Sequence, residues 1–200
     1  MRDMPLNIFY SLHIFNLSRL IVISRLGRAG LRGVLTEDQK CRVIEGDIER
    51  VASQGFGQLS GEGLTLWPEE ALYLLEKGLL EITDQSGELL GFQEYLGRLS
   101  RMYPEIWQLF LIYRDIRSSG RVVKRGLGGR LAYRLYDRAK QETAKYYILP
   151  LPEGSTIKVE DLLKATRYAS RKGKTMIVAV LERRGEVVYY ICSDTNLSNL

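Results

Sequence analysis

The stretch Tyr113-Arg114-Asp115-Ile116-Arg117-Ser118-Ser119-Gly120-Arg121-Val122-Val123-Lys124-Arg125-Gly126 reads as the end of a helix, a turn and the start of a strand. Upstream, Ile106, Leu109, Phe110, Ile112, Tyr113 and Ile116 fall on one helical face, with Arg114, Asp115 and Arg117 opposite, which predicts an amphipathic helix from Pro104 to Ser119. Gly120 is the residue type that ends such a helix. Downstream, Arg121 to Lys124, Leu131 to Asp137 and Lys145 to Leu151 are rich in Tyr, Val and Ile and read as strands. A helix from Lys158 to Ser170 follows, with Glu160 and Asp161 near its start and basic residues at its end. Thr175 to Leu181 and Glu186 to Cys192 flank Arg183-Arg184-Gly185 and form a hairpin.

The half before Pro104 is organised differently. After a helix around Gly46 to Gln54, Gly55-Phe56-Gly57 with Gly61 and Gly63 make a turn-rich segment in which loop chemistry dominates. Leu66 to Gly78 reads as a helix with Pro68, Glu69 and Glu70 in its first turn and a glycine at its end, its core face carried by Ala71, Leu72, Leu75 and Leu79. A strand Leu79 to Thr83, a turn at Asp84 to Gly87 and a helix from Gly91 to Met102 complete a small α/β unit. The expected fold class is therefore α/β (α+β), with an extension over residues 1–31 and domains over 32–103 and 104–200.

With 200 residues, 45% hydrophobic and 26% charged, the chain is a packed globular protein rather than a disordered one. Cys41 and Cys192 have neither Cys-x-x-Cys partners nor a nearby histidine pair, so no disulfide framework or metal site is suggested, and a reducing cytoplasm is expected. Ile8 to Ile23 is apolar, but Asn7, His13, Asn16 and Arg19 make it too polar to span a membrane, and Arg25, Arg28 and Arg32 stand where a signal cleavage site would need small residues. Two readings of it stand: an amphipathic extension packed on the body, or residues upstream of the true start.

Charge is unevenly distributed. Arg114, Arg117, Arg121, Lys124, Arg125, Arg130, Arg134 and Arg138 face only Asp115 and Asp137 within Arg114 to Arg138, a local +6 in a chain of net +5. Such a concentration attracts a polyanion, RNA phosphate above all, although a solvated basic face has the same composition.

Taken together, the helix-turn-strand at Tyr113 to Gly126 resembles the opening of the C-terminal domain of tRNA-intron endonuclease subunits. Tyr133-Arg134-Leu135-Tyr136, Tyr146-Tyr147-Ile148-Leu149-Pro150-Leu151-Pro152-Glu153-Gly154 and Lys174-Thr175-Met176-Ile177-Val178-Ala179-Val180 ahead of Val187-Val188-Tyr189-Tyr190 continue it in order. Gly55-Phe56-Gly57 and the helix Pro68 to Gly78 are similar to the family's smaller N-terminal domain, so the resemblance covers about Arg32 to Cys192. It implies a mixed-sheet C-terminal domain and metal-independent, cofactor-free cleavage of precursor tRNA, in which a ribose 2′-hydroxyl attacks the neighbouring phosphate and leaves a 2′,3′-cyclic phosphate and a 5′-hydroxyl.

That reaction needs a base for the 2′-hydroxyl, an acid for the leaving 5′-oxygen and a cation for the phosphorane. The resemblance assigns these to Tyr, His and Lys. The tyrosine falls on Tyr136 and the lysine on Lys174, but the histidine position reads Thr143, in Thr143-Ala144-Lys145-Tyr146, after a short loop. A threonine hydroxyl does not titrate near neutrality and cannot replace an imidazolium. His13, the one histidine, reads as a packing residue remote from Tyr136, and Tyr136 reads equally as a strand aromatic or an RNA contact. Lys174 groups with Arg167, Arg171 and Lys172 as phosphate contacts.

Loss of one triad member fits, by the resemblance, a noncatalytic structural subunit of a two-plus-two heterotetramer, partnered by a catalytic subunit; an active nuclease with an unconventional acid and a stand-alone RNA-binding module are the alternatives. Two interfaces are implied by the resemblance. One is the last strand, Val187, Val188, Tyr189, Tyr190, Ile191 and Cys192, apolar on both faces and so expected to be covered on both. The other is the hairpin loop, usually acidic, which here mixes Glu182 and Glu186 with Arg183 and Arg184. Gly126-Leu127-Gly128-Gly129 lacks the ending and context of a nucleotide-binding loop and reads as a turn between strands.

Overall fold

Two mixed β-sheets share one hydrophobic core in the computed structural model, which describes residues 30–128, 131–137 and 143–194. The first sheet has the order β3-β4-β2-β1-β5-β6, from β1 (Leu31–Leu35), β2 (Cys41–Glu45), β3 (Gln58–Ser60), β4 (Gly63–Leu66), β5 (Leu80–Thr83) and β6 (Leu89–Leu90). Helices α1 (Ile48–Ser53), α2 (Pro68–Glu76) and α3 (Phe92–Met102) accompany it. Then α4 (Ile106–Ser118) leads into the second sheet, β11-β10-β9-β8-β7, made of β7 (Val122–Gly128), β8 (Leu131–Tyr136), β9 (Tyr146–Pro152), β10 (Thr175–Leu181) and β11 (Val187–Cys192). Helix α5 (Val159–Arg171) makes the crossover that lets β9 and β10 run parallel.

The helices and the second-sheet strands expected from the sequence are present, and β10 and β11 form the expected antiparallel hairpin. Five strands of the first sheet, β1 to β4 and the two-residue β6, are not among the expected elements. The turn-rich segment holds a short hairpin of β3 and β4 whose second strand runs to Leu66, a residue expected in the following helix, and β1 and β2 precede it. Their lengths of two to five residues and interrupting glycines hide the alternation on which strand reading depends. Gly57, at φ +66°, makes the turn into β3 and donates its N–H to Glu70 Oε1 at 3.0 Å, so the glycine serves a tertiary contact as well as a turn.

Each face of the second sheet is covered. Val123, Tyr133, Leu135, Ile148 and Ala179 join the core shared with α4, whereas Val122, Tyr136, Tyr147, Leu149, Met176 and Val178 pack on the α5 side. A column of four rings, Phe56, Tyr73, Tyr113 and Tyr133, with successive centroids 6.1, 6.0 and 6.1 Å apart, runs from the first sheet's turn through α2 and α4 into β8. Such pairs add about 0.5–1.5 kcal/mol each beyond their area, so the column is a main tie between the two halves. Gly126, expected in a turn, lies within β7 where register with β8 is irregular, and a Cβ there would collide with the Leu131 carbonyl. Gly129 lies outside the described residues.

Candidate functional site

The ends of three adjacent strands build the site. Lys145 N–H donates to Leu135 O at 2.9 Å, which sets the start of β9 beside the end of β8, where Tyr136 stands. Thr175 N–H donates to Lys145 O at 3.1 Å, which brings Lys174 to the same end of the sheet. Tyr136 and Lys174, 38 positions apart in sequence by their numbers, thus share one sheet end. Tyr136 is 6% exposed and packed toward α5, with Lys124 Nζ 6.0 Å from its ring centroid, and Lys174 is half-buried. Thr143 is exposed two residues before Lys145.

Lys145 is the cation that sequence reasoning missed here. Its Nζ lies 3.6 Å from Asp137 Oδ2 and 5.3 Å from the Tyr146 ring, and the hydrogen bond to Tyr146 and the charge of Asp137 raise its pKa. As an exposed ammonium it is suited to hold phosphate. His13 lies outside the described residues, so among those described the sheet end carries the phenols of Tyr136 and Tyr146, the Thr143 alcohol, the Asp137 carboxylate and the ammonium groups of Lys145 and Lys174, with no imidazole.

The basic segment from Arg114 to Arg138 is deployed inward as much as outward. Arg117 differs most from its expected place: it is 5% exposed, its guanidinium lies 3.7 Å from the Phe56 ring centroid, and its Nη atoms donate to Gln54 O and Arg121 O at 3.2–3.3 Å. That Arg is a structural bolt between α4 and the turn after α1. Arg114 pairs with Glu76 at 3.1 Å, and Arg125 with Glu69 at 3.0 Å. Arg121 is exposed and Lys124 half-buried, while Arg130 and Arg138 lie outside the described residues. On the other side of the sheet, Arg171 and Lys172 are exposed at the end of α5.

A cleft of about 390 Å³ opens between the sheets, lined by Gly57, Trp67, Glu70, Lys124, Arg125 and Arg134 among others. Lys124 and Arg134 are directly opposed across β7 and β8, a like-charge pairing that destabilises a sheet unless something anionic relieves it. Trp67 has Lys40 Nζ at 4.3 Å and the Arg125 guanidinium at 4.8 Å from its ring centroid. Glu70, behind the cleft, accepts from Gly57 and Trp67 N–H, and burial pushes its carboxyl up to about 7 against the lowering effect of those bonds and of Arg117. Nothing in the sequence separates Glu69 and Glu70 from ordinary first-turn acids, so their role as buried counter-charges was not legible.

At the opposite margin, β11 is an edge strand, with Tyr190 53% and Ile191 71% exposed. Exposure falls on both faces, Tyr190 on one and Ile191 on the other, while Val187 and Cys192 at the strand's ends are partly buried against the core and Tyr189 donates to Asp115 Oδ2 at 2.7 Å; within this chain alone the strand is only partly covered. The hairpin loop is pinned, with Arg183 N–H donating to Glu153 Oε2 at 2.7 Å.

Residues 106–189 match the tRNA intron endonuclease catalytic C-terminal domain, and residues 34–96 match the tRNA intron endonuclease N-terminal domain. A tRNA-splicing endonuclease of Pyrococcus furiosus is 33% identical over 138 residues, covering 69% of this chain and 80% of that protein. The chain belongs to the tRNA-splicing endonuclease family. A further tRNA-splicing endonuclease, from Methanopyrus kandleri, is 32% identical over 152 residues, 72% of this chain and 84% of the relative. In this member of the tRNA-splicing endonuclease family, Tyr136 and Lys174 stand at one sheet end on either side of the start of β9, inside the segment matched by the catalytic domain. Among its described residues no helix is long and apolar enough to cross a membrane.

Proposed function

We propose that this chain is the noncatalytic, structural subunit of a heteromeric tRNA-splicing endonuclease that binds precursor tRNA and positions a catalytic subunit. The observation that carries this reading is Thr143. The sheet end keeps Tyr136 and Lys174, while the position that the resemblance gives to the proton donor holds Thr143, whose hydroxyl does not titrate near neutrality. Charge at the cleft supports a different chain as partner. The opposed Lys124 and Arg134 ask for an acidic occupant, whereas this chain's own loop balances Glu182 and Glu186 against Arg183 and Arg184. The open β11 edge, Val187 to Cys192, supports strand pairing between subunits.

Purified alone, the chain is expected to leave an intron-containing precursor tRNA uncut, and mixing with a catalytic subunit is expected to give cleavage. Robust metal-free cleavage by the lone chain rejects the proposal. The joint presence of Tyr136 and Lys174 favours one second reading, an active nuclease with an unconventional acid. Tyr136→Phe in the assembled complex separates the two: under the structural reading the cleavage rate stays within about twofold, and under the second it falls by the 10²–10⁴ that a general base contributes.

A further inference from the structure

Resting on that RNA-binding reading and sharpening it, we propose that the outer stripe of α5 is a phosphate-contacting ridge for precursor tRNA, running to the sheet end that carries Tyr136 and Lys174. Within residues 158–174 six basic residues face two acidic ones, Glu160 and Asp161, a net +4 in a chain of +5. Lys164, Arg167 and Arg171 recur at i, i+3 and i+7 and share one helix face, spanning about 10 Å at 1.5 Å per residue. All three are exposed, while Thr166 and Ala169 are buried and Leu162, Ala165 and Tyr168 pack on the sheet. The helix dipole accounts for cations in the last turn, Arg171 and Lys172. It does not account for Lys164 in mid-helix or for Lys174 beyond the end.

The second argument is the fate of the counter-charges. Arg114 and Arg125 are paired with Glu76 and Glu69, and Arg117 is buried, so much of the charge expected to face RNA from that segment is spent inside the fold. Among the described residues no carboxylate lies within 4.0 Å of Lys164, Arg171, Lys172 or Lys174, and only Arg167 is paired, to Asp194 at 2.8 Å. Unneutralised cations are those that gain by displacing counterions from a polynucleotide. The stripe leads into Lys174 and Lys145, so a strand seated on it is carried across the degenerate site.

The test uses the full chain assembled with its catalytic subunit and measures binding of an intron-containing precursor tRNA between roughly 50 and 200 mM salt. For K164Q/R171Q/K172Q the slope of log affinity against log salt is expected to fall by about two to three, with at least a tenfold loss of affinity at low salt, roughly one lost phosphate contact per residue. The charge-matched R42Q/K77Q/R101Q, on the first half of the chain, is expected to stay within about twofold of wild type, and both variants should keep their unfolding midpoint. An unchanged slope and affinity in the α5 variant overturns the ridge while leaving RNA binding in place. A wild-type complex that binds no precursor tRNA overturns both readings. Loss of subunit association on size exclusion, with RNA affinity retained by what assembles, assigns the stripe to a protein contact and also overturns the proposal.

Discussion

Arg125 Nη2 stands 3.0 Å from Oε1 of Glu69, a carboxylate with a side chain 2% exposed, and the same oxygen accepts the Tyr133 hydroxyl at 3.3 Å. This pair joins the first turn of α2 to β7 and β8, across the junction of the two sheets. Removing the cation strands a buried charge, which is costlier than losing the bond itself. Arg125→Ala is expected to lower the unfolding free energy by about 2–3 kcal/mol, below the range for fully buried pairs because Arg125 is partly exposed. Glu69→Gln in the same background should recover part of the loss, as measured by a double-mutant cycle in denaturant.

Glu70 gives the fold a pH dependence of definite sign. Burial raises its carboxyl to about 7 in the folded state, above the unfolded value near 4.3, so the folded state binds the extra proton between those limits. Stability is therefore expected to be higher near pH 5 and to decline as pH rises through neutrality, by at most on the order of 3 kcal/mol from this group. Glu70→Gln should flatten that decline, checked by denaturant midpoints of both proteins at pH 5 and pH 8. An equal decline in both would assign the pH dependence elsewhere.

Arg117 acts through packing. Its guanidinium covers Phe56 and donates to two backbone carbonyls, a planar fork that an ammonium cannot reproduce. Arg117→Ala is expected to cost about 3 kcal/mol, and Arg117→Lys to recover less than half of it, read from thermal or chemical unfolding. At temperatures where the variant is folded, the salt slope of RNA binding should not change, because the buried guanidinium releases no counterion.

The β11 edge should respond to charge. Ile191 is 71% exposed on an edge strand, and a lysine there presents an ammonium where a partner's backbone or apolar side chain would lie. Ile191→Lys is expected to weaken subunit association at least tenfold in sedimentation velocity while leaving the unfolding midpoint of the isolated chain within a few degrees. Retained association would direct attention to the cleft of Lys124, Arg125 and Arg134 instead.

The sequence by itself determined the helices, the second sheet's strands and the absence of a histidine at position 143, because helical spacing, β-branched runs and motif order are local properties. Short strands such as β3 escaped it, since three residues carry too little period to read. Only the tertiary structure decided which cations are free. Arg117 and Lys164 look alike as letters in charged segments, yet one lies against Phe56 and the other stands in solvent. The reason is that a charge's availability depends on burial and on a partner contributed from elsewhere in the chain, as Glu69 is to Arg125 56 residues away, and no local pattern encodes that distance.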